Sequence, residues 1–208
     1  MPTWDVIGMR GSGSHDFELV DLFVPESQMG SVRRLRSRPE RLYHPRLTGI
    51  VTWSPTVGVA LGLARGALDA FGDLAARRTA SSPVPLRERA EVQLAVGRAE
   101  AITEAARAFV VASVGDAWAA VAEERQPAEL DLVVARARLA ITHGIQEAVR
   151  AVDMLFAVAG TAGIFTRHEV ERRFRDVHVA SQHAAGLDTH LAAGGRVALG
   201  LPADAPYF

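Results

Sequence analysis

Residues 127–159 read PAELDLVVARARLAITHGIQEAVRAVDMLFAVA, and this stretch decides the fold. Leu130, Val134, Ala137, Ile141, Ile145, Ala148, Val152, Leu155 and Ala159 recur at steps of three or four. That spacing lines one face of a helix and persists far beyond the reach of any strand. Pro127 suits a first helical turn, and Gly160-Thr-Ala-Gly163 ends the pattern.

The same period extends outward in both directions. Residues 55–78 are rich in Ala, Leu and Gly, with Pro55 placed to open a helix. Residues 82–125 carry Val92, Val96, Ala99, Thr103, Ala106, Val110, Val114, Ala117 and Val121 as a second stripe, with Arg89, Glu100, Glu104 and Arg107 off it. At about 1.5 Å per residue these helices run roughly 40–50 Å. A fourth begins near Arg167 and sets Val170, Phe174, Val177 and Ser181 on one face. Long helices with short joints predict a mainly α protein built as an antiparallel four-helix bundle over residues 50–208.

The first 27 residues differ. Trp4-Asp-Val-Ile is short and β-prone, Gly8-Met-Arg-Gly-Ser-Gly-Ser14 is a turn, and Asp16–Val24 reads as an extended β segment stopped by Pro25. Two isolated strands are marginal in water, so this β remnant is expected to pair with something outside the chain or to lie against the helices. Residues 28–49 are a connector, and its basic cluster, Arg33-Arg-Leu-Arg-Ser-Arg38, reads as a solvated loop because no aromatics interleave it.

Composition narrows the function. The chain has 208 residues, 49% hydrophobic and 23% charged, with a net charge of -1. That balance disfavours nucleic acid, which needs a basic excess. No uninterrupted apolar run approaches a bilayer span, and the first residues lack a signal peptide's regions, which predicts a cytoplasmic protein with no membrane partner. Cysteine is absent, which removes thiolate chemistry, and so is lysine, which removes Schiff-base chemistry.

Few residues are left to carry chemistry. His168, His178, His183 and His190 include no HExxH pair, and His178 and His183 lie about 140° apart on a helix, so no metal site is expected. Gly11-Ser-Gly-Ser14 has neither a nucleophile elbow's form nor a phosphate loop's strand–loop–helix context. Along the fourth helix Asp176 and His183 fall nearly opposite its apolar stripe, which turns His183 towards solvent, a partner subunit or a ligand lying across the bundle.

Several motifs resemble one family. Trp4, Gly8-Met-Arg-Gly-Ser-Gly-Ser-His-Asp16 and Val20-Asp-Leu-Phe-Val-Pro-Glu26 are similar to the last strands of the middle β domain in the acyl-CoA dehydrogenase superfamily. Leu155-Phe156, Ala159-Gly-Thr-Ala-Gly163 and Arg172-Arg-Phe-Arg-Asp176 resemble the stretch entering that superfamily's last bundle helix. The resemblance covers nearly the whole chain and implies the tail of the middle domain followed by the complete C-terminal bundle, with the N-terminal helices and most of the β domain missing. Dehydrogenases of the superfamily commonly carry a glutamate base a few residues after the Arg-Asp pair, where this chain has Ala184-Ala185. A methyl group cannot act as a base. The two-component flavin-dependent monooxygenase branch has a histidine near the flavin on this helix, and Arg175-Asp-Val-His-Val-Ala-Ser-Gln-His183 is similar, with His183 as the match.

The resemblance therefore implies the C-terminal portion of a flavin-dependent monooxygenase. It would hydroxylate an aromatic or similar small organic substrate with O2 and reduced flavin, FMN or FAD, supplied by a separate flavin reductase. His183 would be the catalytic residue, and Arg78, Thr79, Gly160, Thr161 and Gly163 would bind the cofactor of a neighbouring subunit. A dimer or tetramer is expected. The other readings are an acyl-CoA dehydrogenase-like flavoprotein and a non-catalytic bundle that only oligomerises.

Overall fold

The computed structural model describes residues 2–30, 39–76 and 84–203. It contains three long helices, α1 (Thr48–Ala75), α2 (Ala90–Ala122) and α3 (Pro127–Ala159), and two short ones, α4 (Glu169–Ser181) and α5 (Asp188–Ala198). Helix α3 is central. All nine residues of its sequence stripe are buried, and Ala135, Arg138, Ala140, Thr142, Gly144 and Ala151 widen the buried face. Burying side chains such as Ile141, Ile145 and Leu155 contributes about 1.5–3 kcal/mol each.

Pairwise contacts give the directions. Arg46 reaches Asp131 at 2.8 Å and Arg138 covers Trp53, so α1 and α3 run the same way. Arg65 grips Glu100 with two 2.7 Å hydrogen bonds, close to where Gly66 meets Arg173 on α4. Phe156 stacks on Phe174 and Asp153 lies 3.4 Å from His178, so α4 returns antiparallel to α3. Helix α5 continues that return, with Gln146 bonding Asp188 at 2.8 Å and Arg138 bonding His190 at 3.2 Å.

Four sequence expectations change. The fourth helix is not continuous: α4 stops at Ser181, a 3-10 turn occupies Ala184–Gly186, and α5 follows. Pro55 does not open a helix but sits inside α1. The helix starts earlier because Leu47 and Ile50, 1% and 2% exposed, anchor its entry in the core. Along α2 the buried stripe shifts after Val110 to Ser113, Ala117 and Ala120, leaving Val114 and Val121 only partly buried. Finally, among the described residues there is no β-strand: residues 2–30 are turns and extended backbone, with 3-10 turns at Arg10–Ser12 and Glu26–Gln28. Phe17 and Phe23 are 83% and 85% exposed there. No described segment offers this stretch an edge with which to form a ladder.

Two helical stretches, Pro45–Ala75 and Ala90–Ala122, are long and apolar enough to cross a membrane by length and composition, once isolated charges are tolerated within the run. The first is a core helix with half of its apolar window buried. The second has 28% of its window buried and exposes Leu94, Val111 and Trp118.

Candidate functional site

The N-terminal segment is bound to α4. The N–H of Met9 donates to Asp176 Oδ1 at 2.6 Å, and Arg175 donates to the carbonyl of Ile7. Gly8 lies so close to α4 that a Cβ there would collide with the Arg175 carbonyl oxygen. Only glycine fits, since a helix carbonyl cannot move aside. The Arg-Asp pair is thus a clamp. It folds Trp4–Ser14 over the end of α4, where Trp4 Nε1 donates to Met9 O at 3.1 Å.

A cavity of about 440 Å³ lies beneath this segment. Trp4, Met9, Ser12 and Ser14 form one wall, Pro55, Thr56 and Val59 of α1 a second, and Val179, Ala180, Gln182 and His183 a third. Among the described residues no carboxylate lines it. His183 is therefore in a cavity, but not for the helical-phase reason drawn from the sequence. It lies beyond the end of α4 and caps the next turn, with Nδ1 accepting from the N–H of Ala185 at 3.1 Å. A neutral imidazole whose Nδ1 accepts carries its proton on Nε2. Among the described residues Nε2 has no hydrogen-bond partner, and the ring is exposed.

His178 is occupied otherwise. Its Nδ1 is 2.7 Å from Phe174 O and its Nε2 faces Asp153. His190 is buried, with Nδ1 accepting from Arg138 at 3.2 Å and Nε2 donating to Ala184 O at 2.9 Å. Burial first, and the Arg138 cation second, push its pKa below the ordinary value. Arg138 is 1% exposed and its guanidinium carbon sits 3.3 Å from the Trp53 ring centroid. Desolvation pulls its pKa down to about 10, which leaves it a cation at neutral pH. The Arg138–Trp53–His190 cluster is a feature that sequence reading missed, because nothing in the local pattern marks Arg138 as buried.

The other expected site residues lie elsewhere. Gly160, Thr161 and Gly163 form a 3-10 turn between α3 and α4, where Gly160 adopts φ 57° and Gly163 packs under Phe156. Helix α4, roughly 20 Å long, separates this joint from His183. The structure does not bring the two together. Helix α1 ends at Ala75 near the same end as the joint, since Gly66 already meets Arg173. Arg78 and Thr79 lie outside the described residues. Also among the described residues, no group of three His, Asp or Glu side chains could hold a metal ion.

Residues 56–186 match the family model "Acyl-CoA dehydrogenase, C-terminal domain", more than half of the chain. The chain belongs to this acyl-CoA dehydrogenase C-terminal domain family. Among similar proteins, an indole-3-acetate monooxygenase of Pseudomonas putida is 32% identical over 186 residues, 88% of this chain and 46% of that one. A FADH(2)-dependent resorcinol hydroxylase, oxygenase component, of Rhizobium sp. is 28% identical over 199 residues, covering 87% of this chain and 48% of that one. The acyl-CoA dehydrogenase-like fold also aligns with the crystal structure of 3-HSA hydroxylase from Rhodococcus sp. RHA1, at TM-score 0.82 and 24% identity, across 97% of this chain and 53% of that one. The chain spans about half the length of the curated relatives it matches.

Proposed function

We propose that this chain is the bundle-bearing half of the oxygenase component of a two-component flavin-dependent monooxygenase. It would hydroxylate an aromatic or similar small organic molecule with O2, using reduced flavin from a separate reductase. The observation that carries this reading is His183: among the described residues its imidazole has Nδ1 tied down and Nε2–H free, in a cavity that no carboxylate lines. A dehydrogenase needs a base there, whereas an oxygenase needs a proton donor that does not strip protons from carbon.

The residues present suit one edge of a planar aromatic group. Trp4, Met9, Val59 and Val179 supply apolar walls, and Ser12, Ser14, Thr56, Gln182 and His183 supply polar atoms. When bound, the reduced flavin supplies the activation of O2. The chain's own part is to exclude water with the Trp4–Ser14 flap and to hold a proton at His183 Nε2 where substrate oxygen is delivered. The joint at Gly160, Thr161 and Gly163, with Arg78 and Thr79, would serve the flavin of a neighbouring subunit, FMN or FAD. Its distance from His183 suits two separate half-sites.

In this reading residues 1–27 belong to the middle domain, 28–49 connect, and 50–208 form the bundle. The enzyme is a cytoplasmic dimer or tetramer, and the exposed apolar face of α2 supports that assembly. The test compares His183→Ala with the parent enzyme for hydroxylated product and hydrogen peroxide at equal reduced flavin. Product should fall and peroxide rise; equal coupling in the two would overturn the proposal.

A further inference from the structure

The turn that carries His183 is held more firmly than its place on the surface requires. A short loop usually leaves its carbonyls to water. Here three successive carbonyls are taken by side chains from two other helices. His190 of α5 donates to Ala184 O at 2.9 Å, Thr142 of α3 donates to Ala185 O at 2.8 Å, and Gln146 of α3 donates to Gly186 O at 3.2 Å. The Thr142 bond is fully buried, as is Ala185. Gly186 closes the turn by approaching α4 so tightly that a Cβ would meet Ser181 O at 2.7 Å. Behind His190, Arg138 donates to Nδ1 and so fixes the His190 proton on Nε2, the atom that holds Ala184 O.

The residue these bonds control is Ala185. Its N–H is the donor that makes His183 Nδ1 an acceptor, while its own carbonyl is the one Thr142 holds. A rotation of the 184–185 peptide would withdraw that N–H and free His183 to carry its proton on either nitrogen; the Ala184 carbonyl belongs to that same peptide, and the bond to Ala185 O fixes the next one, so Ala185 is held from both sides. We propose that Thr142 and His190 are positioning residues for His183: by pinning the Ala185 and Ala184 carbonyls they fix its tautomer and aim the protonated Nε2 into the cavity. The proposal rests on the reading of His183 given above. It adds two buried side chains, on α3 and α5, that touch neither substrate nor cofactor.

The test reads the tautomer directly. Two-bond proton–nitrogen correlation spectra of the full chain distinguish a protonated Nε2 from a protonated Nδ1 on His183. The parent, Thr142→Ser and His190→Gln should all show His183 protonated on Nε2, because each keeps a donor to the turn. Thr142→Val and His190→Ala should show a mixture of tautomers. In enzyme loaded with reduced flavin, the same two should lose product relative to peroxide by up to about 10²-fold, with reduced-flavin affinity held. Should His190→Ala fail to fold, Thr142→Val, nearly isosteric, decides alone. A single Nε2–H tautomer and unchanged coupling in folded Thr142→Val would overturn the proposal. A mixed tautomer in Thr142→Val with full coupling in His183→Ala would uphold the positioning geometry and overturn the functional reading instead.

Discussion

Met9 and Asp176, 167 positions apart, meet through a 2.6 Å hydrogen bond that fastens the start of the chain to the last third of the bundle. The aspartate is half of the Arg175-Asp176 pair whose other member holds Ile7. The pair's work in this chain is to seat the flap that roofs the cavity, so its loss should be felt there first.

Asp176→Ala should release the flap by about 1.5–3 kcal/mol, the usual worth of a charged hydrogen bond. Asp176→Asn keeps the acceptor and should do much less. Gly8→Ala should release the flap outright, because the clash is with backbone. Amide exchange over residues 4–14 and the emission of Trp4 report the release. The bundle's melting temperature should change little, and a large drop would show that the flap is part of the core instead.

Acid should destabilise the protein from just below neutrality. His44 and His190 both have pKa values lowered by burial, with Arg46 and Arg138 respectively adding to the effect. A depressed histidine binds its proton more readily in the unfolded chain, so stability is full above about pH 6.5 and drains away as pH falls through the folded values. Thermal melts across pH 5–8 should show this. His190→Gln, which can keep both hydrogen bonds without titrating, should flatten the acid side, leaving the part due to His44. An unchanged slope would refute the assignment.

Arg138→Ala should destabilise by about 2–4 kcal/mol, since it opens a cavity over Trp53 and removes the donor to His190. Arg138→Met fills the same space without a buried charge and should recover a large part of the loss in urea denaturation. A fully exposed, structurally idle arginine would give no difference among the three proteins.

Light scattering should find a dimer or tetramer. Val111, 61% exposed on α2 two turns before the exposed Trp118, is a good place to break it. Val111→Glu should shift the population to monomer while preserving helicity by circular dichroism. A monomeric parent at high concentration would remove the proposed assembly.

The helices were legible because their burial is repetitive. Every stripe residue of α3 is buried, and the Pro127 start and Gly160 stop coincide with the observed ends. The break at 182–187 was not legible by period, since Ala184 and Ala185 are strong helix formers. What stops the helix is tertiary: Gly186 against Ser181 O and the three carbonyls taken by Thr142, Gln146 and His190. His183 was turned away from the bundle stripe by a helical phase that does not apply to it, since it lies beyond the end of α4 and lines the cavity from the following turn. Met9, Ser12 and Ser14 were visible as a turn and Trp4 only as part of a β-prone stretch, and their seat on α4 depends on contacts more than 160 positions away. The Arg138–Trp53 pair gave no signal, because an arginine on an amphipathic helix ordinarily reads as solvent-facing.

The interruption between α4 and α5 also separates two kinds of selection. Were 169–198 one helix, moving His183 by a residue would rotate everything after it and spoil the register of α5 against α3. Because the histidine rides on a short turn between two independently seated helices, the exposed positions Gln182 and His183 can be rewritten without rotating either flanking packing, while Ala185 and Gly186 stay fixed by their contacts. Those two exposed positions are therefore where chemistry can change on an unchanged bundle, and the ones a designer would randomise first.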